Sequence, residues 1–196
     1  MRPVPTSRHF VAVLIFAAAA ALSAYFAMHD DRLGKAQAYI AAAAAKRHEP
    51  HLFPHDPVFG PSRMWLLETP AFQGLLELVL VPTDWQDLTL PFRALTGVVT
   101  MLYLCGMYAL LYRQCRSWSV SALVALLSAT VVEALGGAEW GTGPLATTTP
   151  EGLCLAVLPV VLVALLHYGE HVRVLMVFAF VGLLGNLHMV TAMNVT

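Results

Sequence analysis

Charge is what this sequence has least of. Lys, Arg, Asp and Glu make up 12% of its 196 residues, about half the share usual in soluble domains. The 11 basic residues form no cluster and the net charge is −1, which gives no support to a nucleic-acid partner, and none is expected. Cysteine is nearly absent too. Cys105, Cys115 and Cys154 are an odd number, far apart and without a C-x-x-C pair, so neither a disulfide framework nor a dithiol redox motif is present. There is no G-x-S-x-G, P-loop, dinucleotide fingerprint or H-E-x-x-H, which removes the common soluble chemistries. No internal repeat is found, and the alanine runs are the only low-complexity text. What remains is apolar. With 58% hydrophobic residues and a mean hydropathy of +0.68, the chain reads as an integral membrane protein in a lipid bilayer.

The hydrophobic pattern predicts an all-α polytopic bundle of about five spans in one domain, 1–196. The spans fall at 9–28, 94–112, 120–135, 152–166 and 172–187. The first run has the twenty residues needed to cross a hydrocarbon core of about 30 Å. It is longer than a signal-peptide core, so an uncleaved span is expected, although Ala21-Leu22-Ser23-Ala24 offers small residues for cleavage. If the spans alternate, Arg2 and Arg8, Arg113 and Arg116, and Arg173 all fall on one side. The short loop 136–150, on the other side, holds no Lys or Arg. That asymmetry predicts a cytoplasmic N-terminus and an external loop at 29–92.

Two amphipathic helices are expected on the membrane surface within that loop. The first runs from 30 to 47, with Asp30 and Asp31 at its N-terminus and Lys46, Arg47 and His48 at its C-terminus, as the helix dipole prefers. Leu33, Ala36, Ile40 and Ala43 or Ala44 form its apolar stripe, with Lys35 and Gln37 off it. Pro50, Pro54 and Pro57 then make an irregular strap. The second helix starts at Thr69-Pro70, a cap followed by proline in the first turn. Phe72, Leu75, Leu76, Val79 and Leu80 fall on one side, and Thr69, Gln73 and Glu77 on the other. Twelve residues reach about 18 Å, too short to span.

Candidate chemistry lies where acids meet the outer face. Asp30 and Asp31 follow His29 at the mouth of the first span. One acid is explained by helix capping. Two suit a general base, or oxygen ligands for a divalent metal ion. Glu133 sits in the last turn of an apolar span, and Glu139 in the glycine-rich turn Gly136-Gly137-Ala138-Glu139-Trp140-Gly141. Alternation of spans brings these acids out on the same side as Asp30 and Asp31. Trp140 suits either substrate contact or anchoring at the membrane interface. His48, Glu49, His51, His55 and Asp56 are metal-ligating types, but their spacing matches no standard zinc pattern. Asn186-Leu187-His188 ends the fifth span on the outer side, where ordinary helix-end hydrogen bonding is the simpler role.

This layout resembles the N-terminal module of polytopic membrane glycosyltransferases of the GT-C class, which include protein mannosyltransferases, aminoarabinose transferases and bacterial relatives. Similar to those relatives are the phrase 31–59, with Tyr39, Leu52-Phe53-Pro54 and Asp56-Pro57-Val58-Phe59, and the ending Asn186-Leu187-His188, where Met189 replaces an expected proline. The resemblance implies a bacterial inner-membrane location and a polyprenyl-phosphate-linked sugar donor. It makes Asp30 or Asp31 the first-loop catalytic acid and Glu139, or else Glu133, the second. Arg32 and Lys35 would contact the donor phosphate, with Trp140 and His188 at the substrate. Members of the class carry more spans, so an N-terminal piece, inactive alone, is expected. The alternative is a non-catalytic membrane subunit or scaffold that docks through the external loop. A transporter fits less well, because the spans hold few internal polar groups.

Overall fold

The computed structural model describes residues 6–29, 35–57, 59, 70–130, 148–167 and 170–187. Among them all regular structure is helical: α1 Thr6–His29, α2 Lys35–His48, α3 Pro70–Leu80, α4 Leu90–Cys115, α5 Trp118–Thr130, α6 Pro150–His167 and α7 Glu170–Leu187. A single 3-10 turn, Val81–Thr83, follows α3.

Three of these helices, α1, α4 and α6, are long and apolar enough to cross a membrane. The 24 residues of α1 contain no proline or glycine, and at about 1.5 Å each they exceed a ~30 Å core. Its outward side is studded with apolar groups: Phe10 and Phe26 are each 63% exposed, a surface suited to lipid and not to water. In α4 the helix begins earlier than hydropathy suggests. Asp87 prepares it, its Oδ1 accepting from the Thr89 backbone N–H at 2.8 Å and the Thr89 hydroxyl at 2.6 Å. Pro91 lies in the first turn, where a missing N–H costs nothing. The helix stops at Arg116, which adopts a left-handed φ of 56° and donates its N–H to the Tyr112 carbonyl.

The central element is α4. Its neighbours' directions can be read from paired residues. His9 Nδ1 meets the Tyr108 hydroxyl at 2.6 Å, while the Thr100 hydroxyl donates to Ser23 Oγ at 3.3 Å, so α1 runs antiparallel to α4. The Tyr103 hydroxyl donates to Ser128 Oγ across the α4–α5 hairpin. Thr96 lies beside Thr148, and Arg113 donates to the Leu166 carbonyl, so α6 runs parallel to α4.

Two glycines bring the helices close. A Cβ on Gly97 would lie 3.0 Å from the Ala24 Cβ, and one on Gly106 would lie 2.8 Å from the Val160 Cγ2. Small residues at helix crossings replace the hydrophobic drive that is missing in lipid with close van der Waals packing. Pro159 within α6 packs at the same crossing, 3.1 Å from that Gly106 position.

The two larger parts of the core form two layers, beside a small cluster of Ala43 and Phe59. One, inside the α1–α4–α5–α6 bundle, holds Phe16, Val99, Tyr103, Leu104, Ala125 and Ala156. The other joins Ile40 and Ala41 of α2, Phe72, Leu76 and Leu80 of α3, Phe92, Cys154 and Phe180. The two helices of the first loop are therefore packed onto the bundle's end. Their packing departs from the simple stripes. Gln37, expected off the apolar face of α2, is 3% exposed, and Gln73, expected on the polar side of α3, is 1% exposed.

Candidate functional site

The acids and partners singled out in the sequence lie almost wholly outside the described residues. This holds for Asp30, Asp31, Arg32, Glu133, Glu139, Trp140 and His188; Lys35 is described only as the first residue of α2. The structure does give the anchors of the two acidic segments. The segment 30–34 is flanked by His29 and Lys35, and 131–147 by Thr130 and Thr148.

Those anchors meet. Gln37, in the first turn of α2, donates from Nε2 to the Thr148 carbonyl at 3.3 Å, in a buried setting. The Thr148 and Thr96 hydroxyls lie 3.0 Å apart, and Thr96 also donates to the Phe92 carbonyl at 2.7 Å. Thr96 is 0% and Thr148 1% exposed. Buried polar groups persist only when paired, and here each completes another. The chain bonds α2, α4 and the residues leading into α6 at a single point. At the end of α1, the His29 ring lies against Tyr25, tilted by 42°, and its Nδ1 lies 2.8 Å from the Tyr25 carbonyl.

The proline-rich strap is held by local contacts. Asp56 Oδ1 accepts the Phe59 N–H at 3.0 Å, and Lys46 donates to the Leu52 carbonyl. Its histidines do not converge. His48 stacks on Trp85, and His51 pairs at 3.5 Å with Glu49 while 81% exposed. Among the described residues no group of three potential metal-ligating side chains forms.

One cleft was not foreseen. It measures about 580 Å³ and is lined by Arg47, His48, Glu77, Val81, Asp84 and Trp85. Arg47 donates to Gln73 Oε1 at 3.0 Å and faces Glu77 Oε1 at 3.7 Å. The His48 and Trp85 rings stack at 4.2 Å, 12° from parallel. No motif marks this group, because its members come from three separate stretches. The one local signal is Pro82-Thr83-Asp84-Trp85, a turn closed by a bulky aromatic.

Close by, Asp87 has its carboxyl held below the ordinary carboxylate range. The Thr89 hydroxyl contributes most, aided by the Thr89 N–H, the Arg93 charge and the Leu90 N–H, against partial desolvation. This is an anchoring role at the start of α4.

Comparison with protein-family models, with characterised proteins and with solved structures finds no match to this chain.

Proposed function

We propose that this chain is a five-span membrane module, N-terminus cytoplasmic, of a transferase that uses a polyprenyl-phosphate-linked sugar at the outer face of a bacterial inner membrane. In this reading α5 and α7 complete the spans begun by α1, α4 and α6. The helices α2 and α3 lie at the outer interface, where their apolar sides reach the bundle. Asp30 or Asp31 takes the proton from an acceptor hydroxyl. The resulting oxygen attacks the anomeric carbon with inversion, and polyprenyl phosphate leaves with the bonding electrons. Arg32 and Lys35 neutralise the departing phosphate, Glu139 holds the acceptor or a divalent metal ion, and Trp140 and His188 line the substrate.

The observation that carries this reading is the Gln37–Thr148–Thr96 chain of buried bonds. It ties the start of α2, just after the first acidic segment, to Thr148, the residue that follows the second. The second support is direction: α1 and α5 run opposite to α4, so His29 and Thr130, the residues that precede the two segments, lie toward one end of the bundle.

The test is sugar transfer from labelled polyprenyl-phosphate hexose and pentose donors by the full chain in lipid nanodiscs. Asp30→Asn, Asp31→Asn and Glu139→Gln are compared with the parent. At least one acid of the first pair is expected to reduce transfer by about 10²–10⁴-fold, the usual weight of a catalytic base. Transfer that is indifferent to all three sinks the reading, and absence of transfer favours the non-catalytic subunit. Topology is checked separately with single added cysteines. Asp84→Cys should label from outside intact cells, and Arg116→Cys only after the membrane is opened.

A further inference from the structure

The cleft between the ends of α2 and α3 offers two kinds of hydrogen-bonding group around an aromatic wall. Arg47 presents guanidinium donors, while Glu77 and Asp84 present carboxylate acceptors. The stacked His48 and Trp85 rings form the apolar side. An anion could use only the donors, and would meet two carboxylates against one guanidinium already engaged by Glu77 and Gln73. A cation could use only the acceptors, and would meet that same guanidinium. A hydroxyl donates and accepts at once. The lining therefore matches a neutral polyol with an apolar face, and its volume of about 580 Å³ falls in the range of small-molecule sites.

The backbone adds an independent observation. Asp84 and Trp85 have positive φ values of 48° and 58°, a conformation that favours glycine or asparagine, and that for a bulky aromatic is an outlier. The turn is closed by N–H bonds from Asp84 to Val81 and from Trp85 to Leu80, both at 3.3 Å. This is how helix C-termini usually end on glycine. Here two glycine-like positions carry an acid and a tryptophan, both of which line the cleft. Asp tolerates this region, but a tryptophan at φ 58° is placed against local preference, and such strain marks a candidate functional site.

We propose that this cleft is a binding site for a neutral saccharide, with Glu77 and Asp84 accepting its hydroxyls, Arg47 donating to it and the Trp85–His48 pair covering its apolar face. The site uses none of the acids assigned to sugar transfer, and it stands whether or not the chain is a transferase.

The test is saturation-transfer NMR on the full chain in nanodiscs, with methyl β-glucopyranoside as probe and glucose 1-phosphate and choline as charged rivals. Binding of the glycoside is expected on the order of 1–10 mM. Glu77→Gln should weaken it about tenfold, the loss of one bond to a charged acceptor. Asp84→Gly should weaken it severalfold while the fold stays at least as stable, because glycine suits a φ of 48°. Gly74→Ala, on α3 with nothing within 4 Å of the added carbon, should bind as the parent does. The double variant Asp30→Asn/Asp31→Asn should keep glycoside binding even where it abolishes transfer. Tighter binding of either charged rival, no glycoside signal up to about 50 mM, or affinity untouched by both Glu77→Gln and Asp84→Gly overturns the proposal. So does loss of glycoside binding in the Asp30/Asp31 double variant.

Discussion

Replacing Gly106 by alanine probes the tightest glycine-mediated helix crossing among the described residues. The added carbon would sit 2.8 Å from Val160 Cγ2, 3.0 Å from the Val160 backbone nitrogen and 3.1 Å from Pro159 Cβ. The valine methyl can rotate away. The backbone nitrogen and the proline ring cannot, so α6 must move off α4 by several tenths of an ångström. Overpacking of this kind costs about 1–3 kcal/mol. Alanine offsets part of that, because it is favoured over glycine inside a helix by about 1 kcal/mol. The control is Gly182→Ala in α7, where nothing lies within 4 Å of the added carbon and the helix gain dominates. The difference between the two variants isolates the crossing and should be about 1–3 kcal/mol against Gly106→Ala. Reversible unfolding by SDS titration in mixed micelles reads it directly. Adding Val160→Ala should recover only part of the loss, since two of the three contacts are not made by the valine methyl. If Gly106→Ala and Gly182→Ala stabilise equally, α4 and α6 do not approach as described.

Three more outcomes follow from the outer layer and the bundle ends. Gln37→Ala leaves the buried Thr148 carbonyl without its partner and should cost about 1–3 kcal/mol, whereas Gln73→Ala removes a partner of the half-exposed Arg47 and should cost less in the same titration. Asp87→Ala removes the acceptor that organises the start of α4 and should cost about 1 kcal/mol. Because the Asp87 carboxyl is shifted downward, its contribution is full above the ordinary carboxylate pKa of about 4 and is lost as pH falls through the lower folded value. An unfolding series between about pH 6 and pH 2.5 should show that acid loss in the parent and not in Asp87→Ala. Arg113→Ala frees the Leu166 carbonyl at the end of α6. Since that contact is exposed, a loss above about 1 kcal/mol would show that it matters more than surface contacts do.

Much of the helix plan is legible in the residues. Uninterrupted apolar text of twenty or so residues can only be helical in lipid, where each backbone group must be paired within its own segment. The placement of α1, α4 and α6 follows from that. The start of α4 shows where the reading stops, since hydropathy marks 94 while Asp87 and Thr89 nucleate the helix at Leu90. Gln37 shows a deeper limit. Its position on α2 is polar by type and was expected to face out, yet it is buried because Thr148, 111 residues away, supplies an acceptor. No local pattern carries that information.

The sequence by itself determined the solvent. Scarce charge and long apolar runs specify helices suited to a membrane, because burial of unpaired polar groups in hydrocarbon is costly. The tertiary structure decided which polar groups are allowed to leave water and what they face. Gln37, Thr96 and Thr148 are buried because three elements bring them within bonding distance. Arg47, Glu77, Asp84 and Trp85 form one cleft because α2 and α3 end side by side and a left-handed turn carries Asp84 and Trp85 to the cleft wall. Composition is a sum over residues, while a site is a set of distances, and distances arise only when the chain has packed.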